Sequence, residues 1–162
     1  MEAICTVDDG KVMIKECLNK KLCSQLKNAG ALRDNEVDPL EAAYQLVRGR
    51  ISIEGFPQGW TGGIQLANKL LGDPDLFIVY YDLRRRGRRV RRGLRPRTLI
   101  VSRGESKQLE VLVLSEGSKT TFRDIAEWSR LAARDGYLPV VAVVDGYGVV
   151  TYYEARSTQA LS

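Results

Sequence analysis

Between positions 84 and 97 the sequence contains nine arginines and no acidic residue, and this arginine segment is its strongest chemical signal. Because the whole chain has a net charge of +5, the residues outside the segment are mildly acidic in sum. Such a concentration of guanidinium groups is typical of proteins that bind a nucleic-acid backbone, since each neutralised phosphate releases a counterion. Two other interpretations stay open: a solvated loop, or arginines that pair with acids elsewhere on the fold or on a partner.

The residue types that are missing exclude several kinds of enzyme. The sequence has no histidine, so it cannot form a Ser-His-Asp or Cys-His nucleophile pair, an imidazole general base or a histidine-ligated zinc site. Its three cysteines, Cys5, Cys17 and Cys23, match no zinc-binding spacing. We therefore expect three reduced thiols, no metal and no cofactor.

Hydropathy indicates the cellular setting. No apolar run reaches the roughly 18 residues of a membrane-spanning helix. The chain opens with Met1 and the acidic Glu2, which is unlike the basic start of a signal peptide. These features predict a cytoplasmic protein without a membrane partner.

Residues 1–73 have the pattern of a small domain with helices and little sheet. Asp38 followed by Pro39 is a helix start, with Asp as the N-cap and Pro at the first helical position. Residues 55–63 contain four glycines and a proline, which predicts a loop. The other expected elements are strands at 10–14 and 51–53 and helices at 15–29, 39–48 and 64–71.

Residues 74–162 have the pattern of a second domain, so the predicted fold class is α+β in two parts. Thr121 and Asp124 approximate a capping box that opens a helix to about Arg134. An apolar strand, an Asp-Gly turn and a returning strand follow it, which is typical of a hairpin. The predicted elements are a helix at 75–86, strands at 98–101 and 109–114, a helix at 121–134 and strands at 140–144 and 149–153.

Three segments carry a family resemblance. Residues 41–53 are similar to a helix-turn-strand pattern Glu-Ala-x-Tyr-Leu-x-x-x-Gly, and residues 81–93 to a pattern Tyr-x-Asp-Leu-Arg-x-Arg-Gly-x-x-Val-x-x-Gly. Residues 130–154 are similar to a last helix, strand, acidic turn and final strand. In this order they resemble the archaeal tRNA-splicing (tRNA-intron) endonuclease family. The resemblance implies a mixed-sheet, restriction-endonuclease-like C-terminal domain flanked by helices.

The family's catalytic residues have no counterparts in this sequence. The resemblance implies metal-independent RNA cleavage by a Tyr base, a His acid and a Lys, giving a 2′,3′-cyclic phosphate and a 5′-hydroxyl. Their positions fall at about Val101, Ser106 and Tyr137. The chain is therefore similar to the non-catalytic structural subunit of a tetramer of two structural and two catalytic chains, which acts on precursor tRNA.

The resemblance also assigns two protein interfaces. The acidic turn Asp145-Gly146-Tyr147 is expected to insert into a basic cleft of the catalytic partner, and the final strand with Tyr152 and Tyr153 to pair across a tight dimer. If the family resemblance is set aside, the turn is an ordinary hairpin turn. The final strand is then an edge strand that its own domain covers.

The arginine segment is expected to divide into two groups. Arg84 and Arg86 brace the fold or an interface. The arginines expected to face solvent or phosphate are Arg88, Arg89, Arg91 and Arg92.

Two other functions are kept as alternatives. One is a nuclease that acts through substituted residues such as Tyr137 or Lys107. The other is a free-standing RNA-binding module that has the fold without the partner.

Overall fold

The computed structural model describes residues 1–104 and 106–155. The chain divides into two compact units, Met1–Phe77 and Ile78–Ser162, and each contains a five-stranded sheet. The predicted α+β class is confirmed. Within the described residues, no helix is both long and apolar enough to cross a lipid bilayer.

The N-terminal unit is built on a sheet with the strand order β3-β4-β2-β1-β5. The pairing of β1 with β5 is parallel and the other pairings are antiparallel. Its elements are β1 (Ala3–Asp8), β2 (Lys11–Cys17), α1 (Lys20–Asn28), β3 (Leu32–Arg33), β4 (Glu36–Val37), α2 (Pro39–Val47), β5 (Ile51–Ile53) and α3 (Trp60–Leu71).

This unit contains more sheet than expected, and the helix predicted to start at residue 15 begins later. Strand β2 continues to Cys17 because it pairs with β1, where Ala3 lies opposite Cys17. The helix then starts behind Asn19, whose side chain accepts a hydrogen bond from the Lys21 N–H at 2.9 Å. Leu18, inside the predicted helix, lies before its observed start and is exposed.

Two of the cysteines form a disulfide, so the expectation of three reduced thiols is wrong. Cys17 ends β2 and Cys23 lies in the first turns of α1, which brings their Cα atoms to 6.6 Å and allows the Cys17–Cys23 bond. Cys5 alone stays a thiol, and it is buried in β1. Burial raises the pKa of the Cys5 thiol to about 11, because the thiolate would lose its hydration.

Reducing this disulfide should destabilise the N-terminal unit by about 2 kcal/mol, since it closes a short loop whose entropy the unfolded chain would regain. Denaturant unfolding with and without reductant measures the difference. A Cys17→Ser, Cys23→Ser double variant is the control and should not respond to reductant. Identical unfolding of the native chain under both conditions would show that the bond contributes nothing.

The glycine-rich stretch expected as a loop is partly helical, because two of its glycines serve close packing of α3. A Cβ atom on Gly62 would lie 1.5 Å from the Pro57 carbonyl oxygen, and one on Gly63 would lie 2.5 Å from Val47 Cγ2. Helix α3 therefore begins at Trp60 and not at residue 64. The glycines that predict a loop are needed here for another reason, because α3 packs too closely against α2 to leave room for side chains.

The C-terminal unit contains the sheet β10-β9-β8-β7-β6. Its only parallel pairing among the described strands is β8 with β9, which makes the sheet mixed, as expected. The elements are α4 (Pro74–Arg85), within which the division between the units falls, β6 (Arg89–Arg92), β7 (Thr98–Arg103), β8 (Ser106–Ser115), α5 (Phe122–Arg134), β9 (Leu138–Val144) and β10 (Val150–Glu154).

Helix α5 covers one face of this sheet. Thr121 and Asp124 form the predicted capping box at its start. Its buried side contributes Trp128 and Ala132 to a core cluster with Leu114 of β8 and Val141 of β9. The packed helix holds β8, which begins at Ser106, and β9, which lies between Tyr137 and Asp145 in the sequence.

Candidate nucleic-acid and subunit interfaces

Three of the nine arginines lie on an exposed edge strand, and a fourth, Arg88, immediately precedes it. Strand β6 pairs with β7, with Arg89 opposite Ser102 and Arg91 opposite Ile100, and it forms one edge of the sheet. Side chains alternate along a strand, so Arg89 and Arg91 share one face. Arg88, Arg89, Arg91 and Arg92 are all exposed, and so are Arg85 and Arg86.

Other arginines of the segment brace the C-terminal unit. Arg85 and Arg86 both pair with Asp82, one turn earlier in α4, at 3.0 and 3.2 Å. The Arg86 guanidinium also lies 5.9 Å from the centre of the Tyr152 ring. Arg84 is half-buried in the same helix. The bracing role expected for Arg86 is thus visible in its contacts.

Arg95 takes part in a buried network. Its Nη1 lies 2.7 Å from Glu110 Oε1, and its Nη2 donates to Asp135 and to the Leu131 carbonyl oxygen. Trp128 Nε1 donates to the second Glu110 oxygen. Glu110 is 1% exposed, so its charge depends on these two donors. The hydrogen bond from Arg95 holds the pKa of Asp135 below its usual value.

The turn between β6 and β7 is held by short-range hydrogen bonds. The Gly93 N–H donates to the Thr98 carbonyl at 2.8 Å, and Thr98 Oγ1 donates to the Arg95 carbonyl at 2.6 Å. A Cβ atom on Gly93 would lie 2.2 Å from Thr98 Oγ1, so a side chain there would displace the threonine. The turn and the Arg95 network together hold the end of β6 in place. The arginines of β6 therefore project from an ordered strand.

The three positions assigned to a catalytic triad lie at the same end of adjacent strands. Val101 of β7 pairs with Leu109 of β8, which pairs with Leu138, the residue after Tyr137. Val101 is 1% exposed, Ser106 is exposed, and Tyr137 packs against the core cluster.

The strand itself ends two residues after Val101. Because β7 continues to Arg103, the strand-ending position is an arginine. Neither Val101 nor Arg103 is a tyrosine, and neither side chain is a general base for a hydroxyl at neutral pH.

The acidic turn has internal hydrogen bonds that fix its shape. Asp145 Oδ1 accepts from the backbone N–H groups of Tyr147 at 2.8 Å and Val149 at 3.0 Å. Gly146 N–H donates to Glu116 Oε2 at 3.0 Å. The Tyr147 side chain is 95% exposed at the tip. The turn is thus an ordered projection with two carboxylates, of which Glu116 was not expected from the sequence.

Register explains why Glu116 was missed. It follows Ser115, which lies opposite Val144 in the parallel pairing of β8 with β9. Glu116 reaches the turn only because of this alignment, and no local motif marks it.

The two tyrosines of the final strand have different environments. Tyr152 donates its hydroxyl to Asp82 Oδ2 at 2.7 Å; burial, followed by this hydrogen bond, raises the Tyr152 pKa above its usual range. Tyr153 is 57% exposed. Strand β10 is the other edge of the sheet. Tyr152 therefore braces its own unit, while Tyr153 is accessible to a partner.

Comparison with known proteins extends the resemblance to both units. The family model of the tRNA intron endonuclease catalytic C-terminal domain matches residues 75–152 of the sequence. The model of the tRNA-intron endonuclease SEN2-like N-terminal domain matches residues 3–70. The chain belongs to the tRNA-intron endonuclease family. Its architecture is accordingly an N-terminal domain followed by an endonuclease domain.

One relative of this tRNA-intron endonuclease family member is the "EndA-like protein" of Methanopyrus kandleri. The two are 29% identical over 144 residues, which cover 82% of this chain and 83% of the relative. The likeness therefore includes both units and is not limited to one motif.

The family signatures have structural roles in this chain. In the second signature, Asp82 accepts hydrogen bonds from Tyr152 and Arg85, which ties α4 to β10. In the first, Gln45 Nε2 donates to the buried Glu41 at 3.0 Å inside α2. Both carboxylates are buried and serve the fold of the tRNA-intron endonuclease units.

A metal site is not visible in the part of the chain that the structure describes. In residues 1–104 and 106–155, no group of three or more potential ligands among His, Cys, Asp and Glu is arranged to hold a metal ion.

Proposed function

We propose that this chain is the non-catalytic structural subunit of an archaeal-type tRNA-intron endonuclease in the cytoplasm. It joins a paralogous catalytic subunit in a tetramer of two chains of each kind, completes the fold of that assembly and offers basic surface to precursor tRNA. The observation that carries the proposal is the replacement of the triad at the ends of β7, β8 and β9 by Val101, Ser106 and Tyr137.

The size of the missing catalytic contribution supports this proposal. A positioned general acid or base typically accelerates a proton-transfer step by about 10²–10⁴-fold. Neither a tyrosine nor an imidazole stands at the first two positions, and Tyr137, in the place of the lysine, carries no positive charge to stabilise a phosphate transition state.

The purified chain should leave a precursor tRNA with a bulge-helix-bulge site uncut, with or without magnesium. Adding a paralogue with the Tyr, His and Lys in place should give products ending in 2′,3′-cyclic phosphate and 5′-hydroxyl. Denaturing gels with each chain alone and with both make the comparison. Cleavage by this chain alone, abolished by Tyr137→Phe, would support the alternative of a nuclease with substituted residues. RNA binding without activation of any partner would support the free-standing module.

Replacing the four exposed arginines by alanine should weaken binding of precursor tRNA by the assembled enzyme. The variant removes Arg88, Arg89, Arg91 and Arg92. The dependence of log K on log salt should flatten by up to about one unit per lost phosphate contact. Arg33→Ala with Arg123→Ala, at two exposed arginines outside the arginine segment, is a control for the loss of basic charge elsewhere on the chain. An unchanged salt dependence would show that β6 is only a solvated basic strand.

A further inference from the structure

The end of the C-terminal sheet where the triad positions lie carries positive charge on three adjacent strands. Arg89 is the first residue of β6, Arg103 the last of β7 and Lys107 the second of β8. Arg89 lies opposite Ser102, and Arg103 lies opposite Ser106. The strand pairings therefore place the three cations side by side across one end of the sheet, as a strand-end cluster.

The charge of the strand-end cluster is not taken up by the fold. All three residues are exposed. In the part of the chain that the structure describes, no ion pair involves any of them, whereas Arg86 and Arg95 are held by carboxylates. Residues 88–109 contain eight cationic residues and one acid, Glu105, which lies outside the described residues. The cluster is thus accessible to an anion from outside the chain.

The spacing of the strand-end cluster suits a sugar-phosphate backbone. Neighbouring strands lie about 4.8 Å apart, so the main chains of β6 and β8 are about 10 Å apart, with Arg103 between them. Arginine binds phosphate through a fork of N–H donors, and lysine binds it as a point charge. A nucleic-acid strand that crosses this end of the sheet therefore meets a cation on each of the three strands.

We propose that the strand-end cluster binds backbone phosphates of precursor tRNA at the end of the sheet that corresponds to a catalytic site. The inference rests on the proposed function, in that the chain must contact RNA. Val101 and Ser106 stand at this end in place of a general base and a general acid. The bound phosphodiester is therefore held and not cleaved.

The test measures how strongly the full chain binds a precursor tRNA with a bulge-helix-bulge site, by fluorescence anisotropy from about 50 to about 200 mM salt. Arg103→Gln with Lys107→Gln should remove two phosphate contacts. Each contact accounts for about a three-fold loss of affinity over this range, so the decline should be about ten-fold smaller for the double variant than for the unchanged chain.

Two control variants separate a site from general charge. Lys119→Gln with Arg123→Gln also removes one lysine and one arginine, both exposed and both beyond the opposite end of β8, and it should leave the salt dependence unchanged. Arg103→Lys with Lys107→Arg keeps both charges at the strand-end cluster. It should also keep the salt dependence, because phosphate contact depends on charge.

An unchanged salt dependence in the Arg103→Gln, Lys107→Gln variant would overturn the strand-end cluster as a site. If the variant of the four β6 arginines still flattened it, the RNA contact of the proposed function would stand without this cluster. Absence of all RNA binding would overturn both, whereas the subunit role is judged separately by the cleavage assay.

The source of the phosphate is tested with inorganic phosphate. Replacing chloride by phosphate at equal ionic strength should displace no further RNA, because the strand-end cluster binds a backbone through several contacts. Extra displacement by phosphate, lost in the Arg103→Gln, Lys107→Gln variant, would overturn the proposal and assign the cluster to a free phosphate group.

Discussion

Replacing Arg95 by alanine should destabilise the C-terminal unit by about 3 kcal/mol, as measured by urea unfolding. Glu110, 1% exposed, would keep the Trp128 N–H as a donor but lose its positive partner. Removing one member of a buried ion pair typically costs 3–5 kcal/mol. We expect the lower end of that range because 24% of the Arg95 side chain is exposed.

Two variants make this prediction specific. Adding Glu110→Gln to the alanine variant should recover part of the loss, since the amide oxygen can still accept from Trp128 without a buried charge. Arg123→Ala, at an exposed arginine of α5, should change stability by less than about 0.5 kcal/mol. A loss for Arg95→Ala no larger than for Arg123→Ala would mean that water, and not Arg95, compensates Glu110.

In the proposed assembly, Asp145→Asn should convert the tetramer into heterodimers of one structural and one catalytic chain. The asparagine Oδ1 can still accept from the Tyr147 and Val149 N–H groups, so the turn should keep its shape while its charge is lost. If the carboxylate is bound in a basic cleft, the unpaired cations left there cost about 2–5 kcal/mol per interface. Light scattering measures the mass, and splicing activity should fall with it.

The chain offers a close control for this variant. Asp9 also lies in a hairpin turn, between β1 and β2, and has a positive φ of 51° that asparagine tolerates. Asp9→Asn should leave the tetramer intact. The heterodimer should survive Asp145→Asn, because β10 with its exposed Tyr153 is a separate surface. An intact Asp145→Asn tetramer at low protein concentration would mean that the turn makes no charged contact in the assembly.

Features that depend on neighbouring residues in the sequence were predictable. The N-caps Asp38 and Thr121 act through hydrogen bonds to backbone groups two or three residues ahead. The turn at Asp145 is equally local. In each case the side chain that sets the backbone is within four residues of the atoms it binds, so composition and spacing suffice.

Features that depend on register between distant segments were not predictable. The Cys17–Cys23 bond requires that β2 extend far enough to meet α1, which its pairing with β1 decides. The arginine segment is uniform in sequence, yet Arg95 is drawn to Glu110, fifteen positions away, while Arg91 stays exposed. Only the placement of β8 and α5 separates an arginine that stabilises the fold from one that stays on the surface.

The two edges of the C-terminal sheet differ in a way that limits how copies of this protein associate. Open strand edges can add further strands and grow into fibres, a hazard that charged side chains suppress. Bringing β6 of two copies together would oppose two rows of guanidinium groups, whereas β10 carries Thr151, Tyr152 and Tyr153 and has little such repulsion. If copies pair only through β10, the association stops at two chains, because the β6 edge of each sheet repels a further copy. The arginines thus favour a finite complex over a filament.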